Sequence, residues 1–310
     1  MASLRPAWPD ILDPAFRKAY GDEIRQLPQI GMTLYNVDTS VKNIEKDTSA
    51  TGLSKLVQTS EGQAITYEDE IEGYNVTYTH LKFTKGTSVS QELWEDDQFA
   101  VMRRKPQDMA YAKVRTQEQF GADIFNNGFT TGGGGLSPFT GPDALALFSN
   151  AHTREDGGAT QSNYNTADLS EDSIENALVT MRATLDGKGQ LMLIQPGCII
   201  VPPALEKEAN ILMNSVQRPG TTNNDVNAYK GRLDVIVWDY LGSAAGGSDT
   251  AWFIMDRKAS YLNWFNRSDR GLEGPDWDFD TKTARWSTVC RWSAGWSNWR
   301  GVFGSKGDNS

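Results

Sequence analysis

The stretch Leu191–Asn214, LMLIQPGCIIVPPALEKEANILMN, decides the fold of this chain. Two short apolar runs, Leu191–Ile194 and Cys198–Val201, are separated by Pro196-Gly197, a pattern that predicts buried strands. Pro203 suits the first turn of a helix, because that position needs no backbone N–H. Apolar side chains then follow at helical spacing, at Leu205, Ala209, Leu212 and Met213. The stretch therefore predicts a buried strand that leads directly into an amphipathic helix, which we interpret as scaffold.

Composition and charge limit the possible functions. The 310 residues can form one large core or two smaller ones. A mean hydropathy of −0.51 indicates a high ratio of surface to core. A net charge of −10 argues against nucleic-acid binding as the main task, because that task needs a basic surface. Two cysteines favour a reduced compartment without a disulfide framework. The sequence shows neither a signal peptide nor an apolar run long enough to span a membrane.

The first 50 residues have the character of an arm, with little core of their own. Prolines interrupt them, and the spacing predicts one short helix over Ala15–Gln26 with Phe16, Tyr20 and Ile24 on one side. Such a segment must lie either on the body of its own chain or on a neighbour.

The next segment, residues 51–90, reads as a projecting hairpin. Tyr74, Val76 and Tyr78 alternate with polar residues, which is typical of a half-exposed strand. The alternation changes phase at His80, so that Leu81 and Phe83 take the opposite parity, and this predicts a bulge or bend. Two further short runs offer partner strands on either side of a turn at Ser60–Gly62; they are Leu56-Val57 and Ile65–Tyr67.

A helical region and a long irregular region follow. Residues 92–127 predict helix in two pieces, with a break at Pro106 and a narrow stripe of small residues. The stripe consists of Ala110, Val114, Gln117, Gly121, Ile124 and Phe125. Residues 128–168 contain the glycine run Gly132–Gly135 and predict a long loop.

The remainder predicts an α/β core and a closing hairpin. Asp168 and Glu171 have the spacing of a capping box ahead of an apolar helical stripe. That stripe consists of Ile174, Ala177, Leu178, Met181 and Leu185. Strands are predicted at Leu233–Trp238 and Ala251–Met255, and a tryptophan-rich terminal hairpin at Arg285–Arg291 and Trp296–Phe303, turning at Gly295.

Residues that could carry chemistry are sparse. The two histidines, His80 and His152, lie about 70 positions apart, which disfavours a shared site. Cys198 and Cys290 fall in predicted strands and favour inert core thiols. The glycine run lacks the ending of a phosphate-binding loop.

Three further patterns stay open as weaker alternatives. Acidic clusters at Glu95–Asp97 and Asp276–Asp280 lack the pattern of a calcium loop, although a loose divalent site remains open for the second. A hydrolase acting through Asp276–Asp280, with Asp278 central, is a third reading of the chain. Ser149, His152 and Asp156 have the residue types of a triad without a nucleophile-elbow sequence. We therefore predict no catalytic, cofactor-binding or metal residues, no cofactor and no enzymatic activity.

The order of these elements resembles the major capsid proteins of tailed bacteriophages. Residues 144–214 resemble that family most, and within it the head-subunit group of the Mu-like phages. The likeness rests on a loop with Phe148, Ser149, Asn150 and His152, on Ser162-Asn163, and on the Val201–Pro203 turn. It covers about a quarter of the chain by sequence and nearly all of it by element order.

The resemblance implies an α+β fold of the Hong Kong ninety-seven type. Its parts would be an N-terminal arm, an extended β-hairpin loop, a peripheral domain with a long spine helix, and an axial domain partly interleaved with it. The arm would be 1–50, the extended loop 51–90, the peripheral domain 91–190 with 276–310, and the axial domain 191–275. Contacts between subunits are expected at Tyr74, Val76, Tyr78, Leu81, Phe83, Phe16 and Tyr20.

The resemblance also implies the partners. Hexamers and pentamers of the chain would form the shell of the virion, and this shell would assemble in the host cytoplasm. The shell would enclose DNA without recognising its sequence. Because Met1 opens directly into the arm, a separate scaffolding protein is expected, beside a portal protein, and a decoration protein is left open as a further partner. No membrane is implied. An encapsulin, the non-viral compartment shell of the same fold, is the alternative.

Overall fold

A computed structural model describes residues 8–70, 72–90, 92, 99–137, 139–218, 225–278 and 280–308. The described helices are α1 (Trp8–Gln26), α2 (Phe99–Asn126), α3 (Glu171–Arg182) and α4 (Glu206–Asn214). The described strands are β1 (Asn36–Thr39), β2 (Ile44–Ala50), β3 (Glu72–Thr79), β4 (Leu81–Ser90), β5 (Tyr164–Asn165), β6 (Cys198–Val201), β7 (Asp234–Val237), β8 (Trp252–Met255), β9 (Leu262–Asp278), β10 (Thr283–Trp296) and β11 (Val302–Ser305). The glutamate and aspartates at 95–97 lie outside the described residues.

The central five-stranded sheet has the order β5-β11-β8-β6-β7. All four residues of β6 are buried, and a short 3-10 turn at Pro203–Leu205 leads into α4, as the opening stretch predicts. One face of the sheet packs on α3 and α4, and the other face packs on Ile124 and Phe125 of α2. The sheet is therefore covered on both sides, which explains why β6 is apolar at every position.

The other predicted strand of that stretch is wrong. Leu191 forms only an isolated bridge with Leu185, and Leu193 is 89% exposed. Residues 192–196 belong to no described strand, and their burial alternates: Leu193 lies at the surface, whereas Met192 and Ile194 pack on the core.

The capping box of α3 lies two residues later than predicted. Ser170, and not Asp168, is the N-cap residue, and its hydroxyl accepts a hydrogen bond from the Ser173 backbone N–H at 3.2 Å. The Ser173 hydroxyl accepts in turn from the Ser170 backbone N–H at 2.9 Å. The predicted apolar stripe of this helix is confirmed for its four residues from Ile174 to Met181, which are buried, whereas the fifth, Leu185, lies beyond the end of the helix.

A second sheet, in the order β1-β9-β10-β4, contains the two longest strands of the described chain. The predicted turn at Gly295 is wrong, because β10 runs straight through it. A Cβ atom at Gly295 would lie 2.4 Å from the Phe139 ring, so this glycine makes room for an aromatic ring and not for a turn. The tryptophans of this region are core residues; Trp286, Trp292, Trp296 and Trp299 are all buried.

Helix α2 is one continuous helix of 28 residues, so the predicted break at Pro106 is wrong. Pro106 is buried, and the helix continues through it although a proline removes one backbone hydrogen bond; the long helix as a whole packs against α1. The small-residue stripe is confirmed as its buried side. Phe16 of α1 stacks on Trp286 at 4.9 Å, so this helix of the arm lies on the body of its own chain.

A two-stranded ribbon, β2 paired with β3, carries the projecting loop. The prediction of partner strands at Leu56-Val57 and Ile65–Tyr67 is wrong: neither forms a strand, and the partner of β3 comes from the segment assigned to the arm. The turn at Ser60–Gly62 is confirmed by a hydrogen bond from Gln63 N–H to the Ser60 carbonyl oxygen. The change of phase at His80 is also confirmed, because there the chain leaves the ribbon and enters β4 of the larger sheet.

Candidate assembly surfaces

The loop between β2 and β3 presents apolar side chains to solvent. Among its described residues 52–70, every side chain is exposed, including Leu56 at 100% and Tyr67 at 89%. Leu53, Val57 and Ile65 are also exposed. A cluster of large apolar side chains outside any core is typical of a surface that another molecule covers.

The base of this loop is fixed to the body by an ion pair. Lys188 Nζ lies 2.7 Å from Glu68 Oε1 and donates to the Asp69 carbonyl oxygen at 2.9 Å. The backbone N–H of Ser54 donates to Glu68 Oε2 at 2.9 Å, which ties the two sides of the loop together. Lys188, followed by Ser54, lowers the pKa of Glu68 to about 2. The loop therefore has an anchored base and an unanchored tip.

Two further contacts hold the ribbon near its ends. The Tyr74 hydroxyl lies 2.8 Å from Thr153 Oγ1, which joins β3 to the long loop after α2. At the other end, the buried His80 ring lies between Ser40 Oγ at 3.1 Å and Ser293 Oγ at 3.0 Å. Burial lowers the pKa of His80, so the ring serves here as a neutral hydrogen-bonding group between ribbon and sheet.

The residues predicted to contact a neighbouring subunit lie largely inside the chain. Phe16, Tyr20, Val76 and Tyr78 are buried in its own core, and Tyr78 is fully covered. Leu81 and Phe83 are partly buried against the same core, and Tyr74 is half-buried. This packing accounts for their apolar character, so that character is no longer evidence for a subunit contact. The exposed apolar residues of the loop, seven positions or more away, were not among those predicted.

A buried polar cluster surrounds His152. Its ring stacks on Trp299 at 4.3 Å, with Nδ1 2.5 Å from Asp143 Oδ2 and Nε2 3.2 Å from Asn163 Oδ1. The Asn163 amide nitrogen donates to the carbonyl oxygens of Leu147 and Val302. His152, Asp143 and Asn163 are all buried, so the cluster closes off from solvent and joins the long loop to β11.

Within the described residues, no hydrogen bond joins His152 to the side chain of Ser149 or Asp156. Asp156 forms an ion pair with Arg154 at the surface, and the Ser149 hydroxyl accepts from Ala151 N–H. His152 has Asp143 as its acidic partner, which the sequence reading did not pair with it. The spacing of nine residues within an irregular loop gave no signal for this contact.

The other candidates are structural as well. Burial raises the pKa of both thiols, that of Cys290 to about 11. Asp278 accepts from the backbone N–H groups of Asp280 and Thr281 and pairs with Arg285 at 2.5 Å, which shapes the turn after β9. Within the described residues there is no group of side chains that could hold a metal ion. The described helices also include none that is long and apolar enough to cross a membrane.

Glu118 is a functional candidate that the sequence reading missed. This buried carboxylate on α2 accepts from the Gly31 backbone N–H at 3.1 Å and from Trp238 Nε1 at 2.7 Å. Burial raises its pKa, and these two donors offset part of that effect. Glu118 therefore connects the arm, the long helix and the end of β7 at one point. Glu118 follows Gln117 of the predicted small-residue stripe but does not belong to the stripe. A charged residue at such a position is expected to face solvent.

Comparisons with known proteins agree on one class. The model of the family described as "Phage capsid protein" matches residues 73–304. Among solved structures, the chain is similar to that of Gordonia phage Cozz, with a TM-score of 0.55 and 14% identity over 90% of this chain and 86% of that one. No curated protein matches the sequence closely enough to serve as a relative.

Two further structures show the same fold. The Bacteriophage JBD30 capsid matches with a TM-score of 0.55 and 15% identity, covering 78% of this chain and all of the other. The capsid of a native GTA particle matches with a TM-score of 0.55 and 11% identity, covering 90% and 91% of the two chains. At such identities the likeness concerns the mixed α/β fold.

Proposed function

The chain belongs to the phage capsid protein family, and we propose that it is the major capsid protein of a tailed phage. In this proposal hexamers and pentamers of the chain tile an icosahedral head shell that encloses the DNA genome. The projecting loop of each subunit lies over a neighbour and supplies the contact between them. The membership makes the chain a structural protein of a viral capsid; the manner of assembly is the proposed part.

The exposed apolar loop carries the proposal. A lone chain gains nothing from five exposed apolar side chains at the tip of a loop whose base is fixed by Lys188 and Glu68. Covering them in a neighbour would recover about 25 cal/mol for each Å² buried. Because every subunit both offers a loop and receives one, weak contacts add up around a closed shell.

The finer assignments belong to the same proposal. They are the Mu-like group, the Hong Kong ninety-seven type of fold and the division into arm, extended loop, peripheral domain and axial domain. A separate scaffolding protein, a portal protein and a decoration protein are the proposed partners, with assembly in the host cytoplasm and DNA packaged without sequence recognition. The net charge of −10 suits a wall that must not adhere to the DNA it encloses. No observation favours an encapsulin over a phage head.

The test is to shorten the loop. Residues 52–70 are exposed throughout, whereas Val76 and Tyr78 of β3 are buried, so a deletion must stop before β3. Replacing 52–70 by Gly-Ser-Gly-Ser should leave a folded chain with a native circular dichroism spectrum. Co-expressed with the scaffolding protein of its phage, the wild type should give closed shells in negative stain, and the shortened chain should give none. Closed shells from the shortened chain would remove the assigned role of the loop.

A further inference from the structure

A groove beside the central sheet has no role in the contacts described so far. It has a volume of about 570 Å³ and opens where β6 and β7 begin and β8 ends. Its floor is the extended segment Leu191–Gly197. Leu191 and Leu193 face outward, at 55% and 89% exposure, while Met192 and Ile194 pack into the core behind them. The floor is thus an extended edge with an apolar outer side.

Four cations line this groove, and each is exposed: Arg182, Arg232, Arg257 and Lys258. Within the described residues none of the four has an ion-pair partner. Of the two acids in the lining, Asp256 is occupied by the backbone N–H groups of Gln195 and Lys258, and Asp234 is exposed. Four cations less two acids leave a local charge of +2, in a chain of net charge −10. The groove therefore attracts an acidic partner.

The apolar floor favours a peptide over a nucleic acid. A phosphate backbone has no group to cover two exposed leucines, whereas an extended peptide presents alternate side chains to such an edge. The partner should therefore be an extended acidic segment with apolar residues at every second position.

The chain itself carries such a segment, Ile65–Glu70, with the sequence ITYEDE. Glu68 faces its own body through Lys188, whereas Ile65 and Tyr67 are 72% and 89% exposed. Among the described residues Asp69 and Glu70 have no ion-pair partner. The segment contributes nothing to the lining of the groove of its own chain.

We propose that the groove of one subunit receives the segment Ile65–Glu70 of a second copy. Ile65 and Tyr67 cover Leu191 and Leu193, and the carboxylate of Asp69, on the same side of the extended segment, lies among the four cations. Glu70 at the end of the segment adds negative charge at the rim of the groove. An arginine of the rim can also stack on the Tyr67 ring. The inference rests on the proposed function, because it names the surface on which the projecting loop of a neighbour lies.

Charge reversal on both sides tests the pairing. Arg232→Glu with Lys258→Glu should prevent shells from forming, and so should Asp69→Lys with Glu70→Lys. The chain that carries all four changes should form shells again, because the two signs are exchanged together. The four charge-reversed residues and the two control residues are all exposed, so the circular dichroism spectrum should stay native in every variant. The matched control, Lys18→Glu with Lys207→Glu, reverses two exposed cations outside the groove and should assemble as the wild type does.

A binding measurement supplies an independent readout. A fluorescein-labelled peptide of residues 62–72, GQAITYEDEIE, is titrated with the Asp69→Lys/Glu70→Lys chain, whose groove is then unoccupied. Fluorescence anisotropy should show binding that weakens at least about tenfold when Arg232→Glu and Lys258→Glu are added. Raising the salt concentration should weaken it as well.

The outcomes separate this inference from the proposed function. Shells from the wild type and from both charge-reversed chains would overturn the groove contact and leave the capsid role intact. If the wild type itself stays monomeric with its scaffolding protein, the assembly proposal fails. The peptide titration then decides the groove alone, and absence of binding overturns it.

Discussion

Replacing Asn163 by alanine should destabilise the chain more than its small size suggests. The Asn163 side chain is buried and has five hydrogen-bond partners, four of them at 3.2 Å or less and the fifth, the Trp299 carbonyl oxygen, at 3.5 Å. Its Oδ1 accepts from Ser149 N–H at 3.0 Å and lies 3.2 Å from His152 Nε2. Its Nδ2 donates to the carbonyl oxygens of Leu147 at 2.8 Å and Val302 at 3.2 Å. Alanine leaves these four partners without this contact in the interior.

The size of the effect follows from these bonds. A buried hydrogen bond contributes about 1 kcal/mol net, so four give a loss of about 4 kcal/mol. The unfolding entropy is roughly 2.1 cal/mol/K per residue, or about 0.65 kcal/mol/K for this length. The midpoint of thermal unfolding should therefore fall by about 6 °C.

Differential scanning calorimetry on the purified wild type and variant measures this shift. The matched control is Asn165→Ala, two residues along the chain, whose side chain accepts only from Thr166 and Ala167 N–H nearby. It should lower the midpoint by less than about 2 °C, because a single local turn is affected. Equal shifts for the two variants would show that the buried cluster contributes no special stability, and the reasoning would be wrong.

Three more predictions concern Glu118, the loop base and β10. The pKa of Glu118 is raised in the folded chain, so ionisation of this carboxyl lowers the stability of the wild type as pH rises above 4.5. The thermal stability of Glu118→Gln should therefore increase relative to that of the wild type between pH 4.5 and 8. A relative decrease over this range would contradict the reasoning. Lys188→Ala should speed hydrogen exchange in residues 51–70 at pH 7. The difference from the wild type should shrink as pH falls from 4.5 to 2, where about half of Glu68 is protonated in the folded wild type; a difference that stays constant over this range would contradict the ion-pair anchor. Gly295→Ala places a methyl group against the Phe139 ring and should cost about 1–3 kcal/mol, measured by urea unfolding; a neutral result would show that the ring moves freely.

Local patterns in the sequence predicted those helices and strands in which all residues of one face pack on the same core. The apolar run of β6 is buried on both sides, and the stripe of α3 faces one core, so periodicity alone identifies them. The bend at His80 was predictable for the same reason, because a change of sheet reverses which residues face inward.

Sequence patterns did not predict the structure correctly where strands pair, or side chains pack, between residues far apart in the chain. The long pair β9 and β10 has three irregularities of register, which interrupt the alternation that would mark a strand. Gly295 and Pro106 signal a turn and a break, yet β10 and α2 continue through them; Gly295 packs against Phe139, and α2 packs against α1. The segment 191–194 has the composition of a core strand, but only Met192 and Ile194 pack on the core; the exposed Leu191 and Leu193 are explained if a neighbour covers them.

The residues that carried the family resemblance now have a common physical basis. Phe148 packs under Gly304 of β11, while Ser149, His152 and Asn163 share one buried hydrogen-bonded cluster beside it. Each polar atom of Asn163 is used, so a change at one position leaves a buried group of another unpaired. A substitution at one of these residues therefore destabilises the fold unless its partner is substituted too. A single substitution at an exposed position, such as those of the loop 52–70, costs the fold little stability. A resemblance can therefore persist in this cluster when overall identity with similar structures is 11–15%, and it reports the fold rather than the contacts between subunits. Those contacts depend on exposed residues, whereas the alternation that singled out Val76 and Tyr78 reports packing within the chain.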